Sequence, residues 1–357
     1  MKNILIIIYS SILISACLAP KTQQIKTDSA QIEQEKKKQQ ELALTYLQRQ
    51  KFRLLDTAYP LLQAADTFCE DDRQPATGLV MGNQFSYSED FRETAKELYK
   101  LDQYLRIIHI IPNSPAQLAQ LKVGDRLVSI NNQKLSQDKL AIKTFREALK
   151  ASSNNKVTLE ILRNKKLLNI DLVSPSSCSY TIALSESDSV NAFANGHSVV
   201  ITKGMMRFAE TKQELSLVIS HEIAHNVMSH IKAKTVNALA GTFLDIAISV
   251  ATGVNTQGVF GKIGSHVYSQ DFETEADYVG LYIMARANID INDAELFWRR
   301  MAVEHPASIN SNHSASHPAT ANRFIAIQST TEQIESKKSQ GLDLLPNMKE
   351  VSIETIQ

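Results

Sequence analysis

The sequence predicts an α+β protein: a mainly helical domain with a small β-sheet, interrupted by an inserted strand-rich module. Three observations carry this. An apolar stretch of helical period begins near Lys212 and holds two histidines four residues apart, His221 and His225. Residues 156–173, KVTLEILRNKKLLNIDLV, alternate apolar and polar positions as a hairpin does, with Val157, Leu159 and Ile161 on one face. Cys69 and Cys178 flank the strand-rich stretch, and the helical segments lie outside them.

At 357 residues the chain is long enough for two or three compact domains, and its 38 basic side chains balance 38 acidic ones. That balance gives a nucleic-acid partner no support. The N-terminus is different in kind: MKNILIIIYSSILISAC has Lys2, an apolar run from Ile4 to Ile14, and the small residues Ser15 and Ala16 before Cys17. Residues 1–16 form a secretory signal, too short for a spanning helix of about 20 residues. Ile14-Ser15-Ala16-Cys17 resembles the bacterial lipobox, which implies cleavage before Cys17 and a diacylglyceryl group on its thiol. Leu18, where Asp would retain the protein at the inner membrane, then implies an outer-membrane anchor facing the periplasm. An ordinary signal with an incidental Cys17 is the other reading.

Residues 17–40 are polar, rich in Gln and Lys, and predict a tether. Over 41–70 the leucines Leu42, Leu44, Leu47, Leu54, Leu55, Leu61 and Leu62 predict an amphipathic helix that packs on the helical domain and that Pro60 bends or interrupts. It ends near Cys69, and EDDRQPATG follows as a loop. Cys69 and Cys178 sit in a compartment that permits disulfides; pairing would clasp the neck of the insert, against the alternative of two unrelated buried thiols.

Within 78–175, YLRIIHIIPNSPAQLAQLKVGDRLVSINNQKL gives a β-branched strand, a Pro-Asn-Ser-Pro turn, a short helix, and Gly124-Asp125 leading into a strand from Arg126 to Ile130. Asn131-Asn132 turns the chain, and a helical stretch from Asp138 to Ala151 precedes the hairpin. This order resembles the bacterial PDZ domain, a β-sandwich or barrel with two helices that binds peptide segments or C-termini as an added strand. GLVMGNQF, 78–85, is a loose match to its carboxylate loop. A PDZ fold that only shields or positions its neighbour is the alternative.

Residues 178–335 carry the chemistry, with 336–357 as a tail. Thr211-Lys212-Gln213-Glu214 is a capping box that starts the helix. Four residues advance about 400°, so His221 and His225 share a face and can grip one ion, with Glu222 beside them to take a proton from water. His230 has turned roughly 180° on the same helix and is assigned to the helix end, near the C-terminal dipole. Downstream, SQDFETEADYVGLYIMARAN places Glu273 and Asp277 one turn apart. Glu273 can complete the ligand set, and Asp277 can accept the other ring N–H of a ligating histidine. Solvated surface is the plain alternative for an acidic pair.

HEIAH with ETEAD, preceded by VNAFANGHSVVITKGMM and followed by SHPATANR, resembles the gluzincin metallopeptidase family of the CaaX prenyl protease, HtpX, BepA and LoiP. The resemblance covers roughly residues 179–330. It implies one zinc ion per chain on His221, His225 and Glu273, Glu222 as general base, and support from Asp277; Glu275 falls on a variable position. His317 and Arg323 match positions near the site, and either one would stabilise the oxyanion. His317 could instead cover the open metal position in a closed resting state, or cap a helix or lie at the surface. NAFANGHSVVIT predicts a turn and an edge strand over 197–202 for an extended substrate, with His197 as ordinary surface. VNALAGTFLDIAISVATGV, 236–254, contains Asn237 and Asp245 and is a buried or cleft-lining helix rather than a membrane span. The activity implied is endopeptidase cleavage of misfolded envelope or outer-membrane polypeptides. The rival is a PDZ adaptor or chaperone with a latent protease-like domain.

Overall fold

A computed structural model of the chain describes residues 22, 25–70, 72–152, 155–233, 235–236, 269–304, 306, 317 and 320–349. Cys17, the signal segment and all but the first residue of 236–254 lie outside the described residues.

Helix α1, Ser29–Ala64, is the longest described element at 36 residues. Its first third corrects the expectation of a tether to residue 40. Those Gln, Lys and Glu residues bury almost nothing, as their polarity predicts, but they are good helix formers. Helix α2, Glu89–Tyr99, holds them: Lys37 pairs with Glu97, and the Thr94 hydroxyl donates to Gln40 Oε1 at 2.8 Å. Pro60 lies inside α1 without ending it, four residues before the last. Leu54, Ala58 and Leu61 are buried in the core of the helical domain.

After a 3-10 turn at Asp66–Phe68, the expected loop forms strand β1, Arg73–Pro75, which pairs antiparallel with β8, Ser176–Cys178. The two strands form the neck of the insert, and the Cys69–Cys178 disulfide, with Cα atoms 5.6 Å apart, closes it. Unreduced peptide mapping should recover the two cysteines in one fragment. The bond closes a loop of 109 residues, so Cys69→Ser with Cys178→Ser should lower the stability measured by urea unfolding by about 2–4 kcal/mol. An unchanged midpoint would refute this.

The insert is a sheet in the order β2-β3-β4-β6-β7: Leu79–Gly82, Arg106–Ile110, Arg126–Ile130, Lys156–Arg163 and Lys166–Val173, with β5, Gln133–Lys134, beside β4. Asn131-Asn132 and Asn164-Lys165 all take positive φ, from 47° to 65°, as two-residue hairpin turns on right-twisted strands require. Val157, Leu159 and Ile161 are buried with Phe145 of helix α4, Ala141–Lys150, and α3 is the short helix Pro115–Leu118. Helix α2 was not anticipated; with it the insert has three helices rather than two. His109 on β3 stacks on Phe52 of α1 and meets Asp56 Oδ1 at 2.7 Å, tying the insert to the helical domain.

The helical unit packs α1 against α6, Lys212–Val227, and α7, Ser269–Arg286, with α8, Ala294–Glu304, and α9, Ala321–Ser339, alongside. Its sheet runs β10-β11-β9, with β9 at Thr181–Ser185, β10 at Ala192–Ala194 and β11 at Ser198–Thr202; helix α5, Lys203–Phe208, follows. This overturns the expectation that 197–202 is an edge strand: β11 is central, antiparallel to β10 and parallel to β9. The edge beside α6 is β10. Helix α9 passes the expected tail boundary at 336, and residues to 349 fold back, with Asn347 N donating to Tyr278 Oη at 3.0 Å. Among the described residues no helix is long and apolar enough to cross a membrane.

Candidate active site

Helix α6 starts where the capping box places it. Thr211 Oγ1 accepts from Glu214 N at 3.1 Å, and Glu214 Oε2 accepts from Thr211 N at 3.3 Å. Burial of Glu214 is outweighed by the Arg300 guanidinium, 2.9 Å away, and by two backbone donors, so its carboxyl is held below the usual range. A depressed folded value means stabilisation present above the unfolded pKa of 4.5 and lost as pH falls through the folded one. Glu214→Gln should therefore destabilise the protein at pH 7 and flatten its acid-unfolding curve below pH 4.5, as followed by circular dichroism. An unchanged acid transition would refute it.

Leu215, Val218, Ile219 and Ile223 bury the face of α6 that enters the core, and the next turns carry His221, Glu222 and His225 inward, each 2% exposed or less. Asn226 docks the β10–β11 turn on this helix, accepting from Gly196 N at 2.7 Å and donating to Ser198 O at 3.1 Å. Helix α7 comes close enough that a Cβ on Gly280 would stand 3.1 Å from the backbone nitrogen of His221. Two turns earlier, α7 delivers Glu273, fully buried.

Donor atoms of three side chains converge. His221 Nε2 lies 3.2 Å from His225 Nε2 and 3.3 Å from Glu273 Oε2, and His225 Nε2 lies 3.3 Å from the other carboxylate oxygen, Glu273 Oε1. A tetrahedral ion with bonds of about 2.0–2.1 Å has ligand edges of about 3.3–3.4 Å, close to each of these separations. Two imidazoles and a carboxylate are also the donor set of a catalytic zinc site. Glu222 adds an acceptor: its Oε2 is buried and has no hydrogen-bond partner among the described residues.

Each ligand is supported. His221 Nδ1 lies 2.9 Å from Asp277 Oδ1, and Arg323 grips Asp277 through Nε at 2.7 Å and Nη2 at 2.9 Å. Burial pushes the His221 imidazole down, but Asp277 and Glu273 overcome it and raise it to about 9. Burial dominates at His225, which falls to about 3 and stays neutral with a lone pair for an ion. Burial opposes ionisation of Glu273, yet His317, His221 and His225 hold its carboxyl well below the usual range. His317 reaches over this cluster, Nδ1 being 2.7 Å from Glu273 Oε2 and 3.3 Å from His221 Nε2, with Nε2 3.5 Å from Glu222 Oε1. Trp298, the only tryptophan of the chain, packs 5.1 Å from the His221 ring.

His221, Glu222, His225, Glu273, Asp277, His317 and Arg323 thus come together, and His197 is exposed elsewhere. Arg323 does so behind Asp277 rather than toward an open face. One residue corrects the sequence expectation. His230 is not a free helix end: it is 1% exposed, its Nδ1 lies 2.9 Å from His225 Nδ1, and its Nε2 lies 2.8 Å from Glu275 Oε2. The helix stops at Val227, and Ser229 takes φ 55°, which swings the chain back toward the site. A left-handed serine carries no sequence signal of the kind a glycine gives.

Two histidines and a glutamate on one helix, with a second glutamate from another, form an arrangement similar to the His-Glu-x-x-His sites of zinc peptidases. Residues 160–331 match Peptidase family M48, and residues 106–163 match the PDZ domain.

Relatives include the mitochondrial metalloendopeptidase OMA1 of Bos taurus, 29% identical over 175 residues, covering 43% of this chain and 33% of that one. The mitochondrial metalloendopeptidase OMA1 of Schizosaccharomyces pombe is 28% identical over 158 residues, covering 42% and 45%. A putative beta-barrel assembly-enhancing protease of Vibrio cholerae is 29% identical over 143 residues, covering 35% and 29%. The chain spans less than half the length of these relatives.

Proposed function

We propose that the protein is a zinc-dependent endopeptidase of the bacterial envelope, held by a lipid on Cys17 at the periplasmic face of the outer membrane. Its proposed substrates are misfolded periplasmic or outer-membrane polypeptides. The observation that carries the catalytic reading is the convergence of His221, His225 and Glu273 donor atoms, with the buried Glu222 Oε2 beside them lacking a hydrogen-bond partner among the described residues. The kinship with beta-barrel assembly-enhancing proteases supports the envelope setting.

Zinc held by the three ligands would supply a Lewis acid for the scissile carbonyl and the attacking water. Glu222 takes the proton of that water and delivers it to the leaving amine. Of the two residues near the oxyanion, Arg323 is engaged by Asp277, which leaves His317 for that role. The substrate lies extended beside β10, and the PDZ unit recruits peptide segments or C-termini along its β2 edge.

His317 also supports a second reading. Its Nδ1 stands above the converging donor atoms, as a side chain closing the site would, so the protein could rest in a latent state. The test is cleavage of casein by purified protein lacking residues 1–16, with chelator and with zinc restored. Endopeptidase chemistry predicts cleavage that chelation stops and zinc restores. Cleavage indifferent to chelator would refute it, and cleavage appearing only in His317→Ala would establish latency.

A further inference from the structure

We propose that His230 and Glu275 are positioning residues that fix the ring tautomer and orientation of His225, completing a two-link relay from a surface carboxylate to a metal-binding nitrogen. This rests on the reading of His225 as a ligand.

The argument is one of proton placement. His225 turns Nε2 toward His221 and Glu273, so that nitrogen must carry the lone pair if it is to hold an ion. In a neutral imidazole the proton then sits on Nδ1, which faces His230 Nδ1 at 2.9 Å. Two Nδ1 atoms can share one proton only if one donates and the other accepts. His225 donates, so His230 must accept there and carry its own proton on Nε2. That nitrogen points at Glu275 Oε2, 2.8 Å away, which accepts. Each link sets the next: reversing the tautomer of His230 would put two N–H groups face to face and leave Glu275 without a donor.

The geometry holds the relay still. His230 stacks on Phe272 with ring centroids 4.7 Å apart and planes 20° from parallel, and it is 1% exposed. Glu275 is half exposed, with its Oε2 aimed at the His230 ring nitrogen. Glu275 and Asp277 lie two residues apart on α7, so one helix supplies an acceptor to both ligand histidines, directly for His221 and through His230 for His225. His230 is not a further ligand, because both of its ring nitrogens are taken on the side of His225 away from His221 and Glu273.

The experiment is zinc affinity of the full-length metal-free protein, measured by competition with a chromophoric chelator and by Trp298 fluorescence. The His225 tautomer is read in parallel by nitrogen-15 NMR. His230→Phe keeps the stacking on Phe272 and removes both links; its zinc affinity should fall about 10–100-fold, with His225 no longer held as the Nδ1–H form. His230→Gln, which can accept from His225 and donate to Glu275, should recover most of the affinity. Glu275→Gln, at a half-exposed side chain that folding does not require, should give a smaller loss. Wild-type affinity and an unchanged His225 tautomer in either His230→Phe or Glu275→Gln would overturn the relay. His225→Ala separates the two ideas: if it abolishes zinc binding while the relay variants do not, only the relay fails, and if it binds zinc normally, the ligand set itself is wrong.

Discussion

Replacing Glu222 with glutamine is expected to lower casein hydrolysis by at least about 10²–10⁴-fold while zinc content stays that of the wild type. Glutamine matches the carboxylate in shape but cannot take a proton from water. The effect should fall on kcat rather than KM, because the role proposed for Glu222 is proton transfer from water rather than binding of the peptide chain. Cleavage at the wild-type rate in a zinc-loaded variant would remove Glu222 from the mechanism.

Asp277→Ala should produce the largest loss of stability of any single change around the site, about 3–5 kcal/mol by urea unfolding. Asp277 is 3% exposed and lies between two buried cationic or polar partners, the bidentate Arg323 guanidinium and the His221 imidazole. Burial opposes its ionisation, but Arg323 and His221 prevail and keep it charged. Its removal leaves Arg323 buried, 2% exposed, without its bidentate carboxylate, which costs far more than the bond itself gains. Asp277→Asn keeps an acceptor for His221 and should cost less. A loss below about 1 kcal/mol for the alanine variant would show that Arg323 finds another anion, and the charge ledger around Glu273 would need redrawing.

What the sequence made legible was what local periodicity governs. The capping box, the shared face of His221 and His225, and the one-turn spacing of Glu273 and Asp277 follow from the helical repeat alone, and the structure places them as that repeat requires. The hairpin of 156–173 was equally plain, because alternation and a positive-φ pair at Asn164-Lys165 agree. Long-range pairing was not legible. Strand β11 is central only because TIALS, 181–185, pairs with it in parallel, and nothing within NAFANGHSVVIT announces that partner. The helical start at Ser29 was hidden because polar residues predicted no core; contacts to α2 steady the helix without one. His230 was lost to extrapolation: the repeat was carried past Val227, where a single left-handed Ser229 ends it.

The near contact of Gly280 with the His221 backbone has a consequence for the order of events in the life of the chain. Helices α6 and α7 meet there main chain to main chain, inside a core of Ile219, Ile223, Ala276 and Ile283. The ligands therefore owe their spacing to folded backbone rather than to an ion drawing loose segments together, unlike small metal-dependent domains. The zinc we propose would then enter a scaffold already folded, so a metal-poor spell is expected to delay activity and leave an intact, reloadable protein behind.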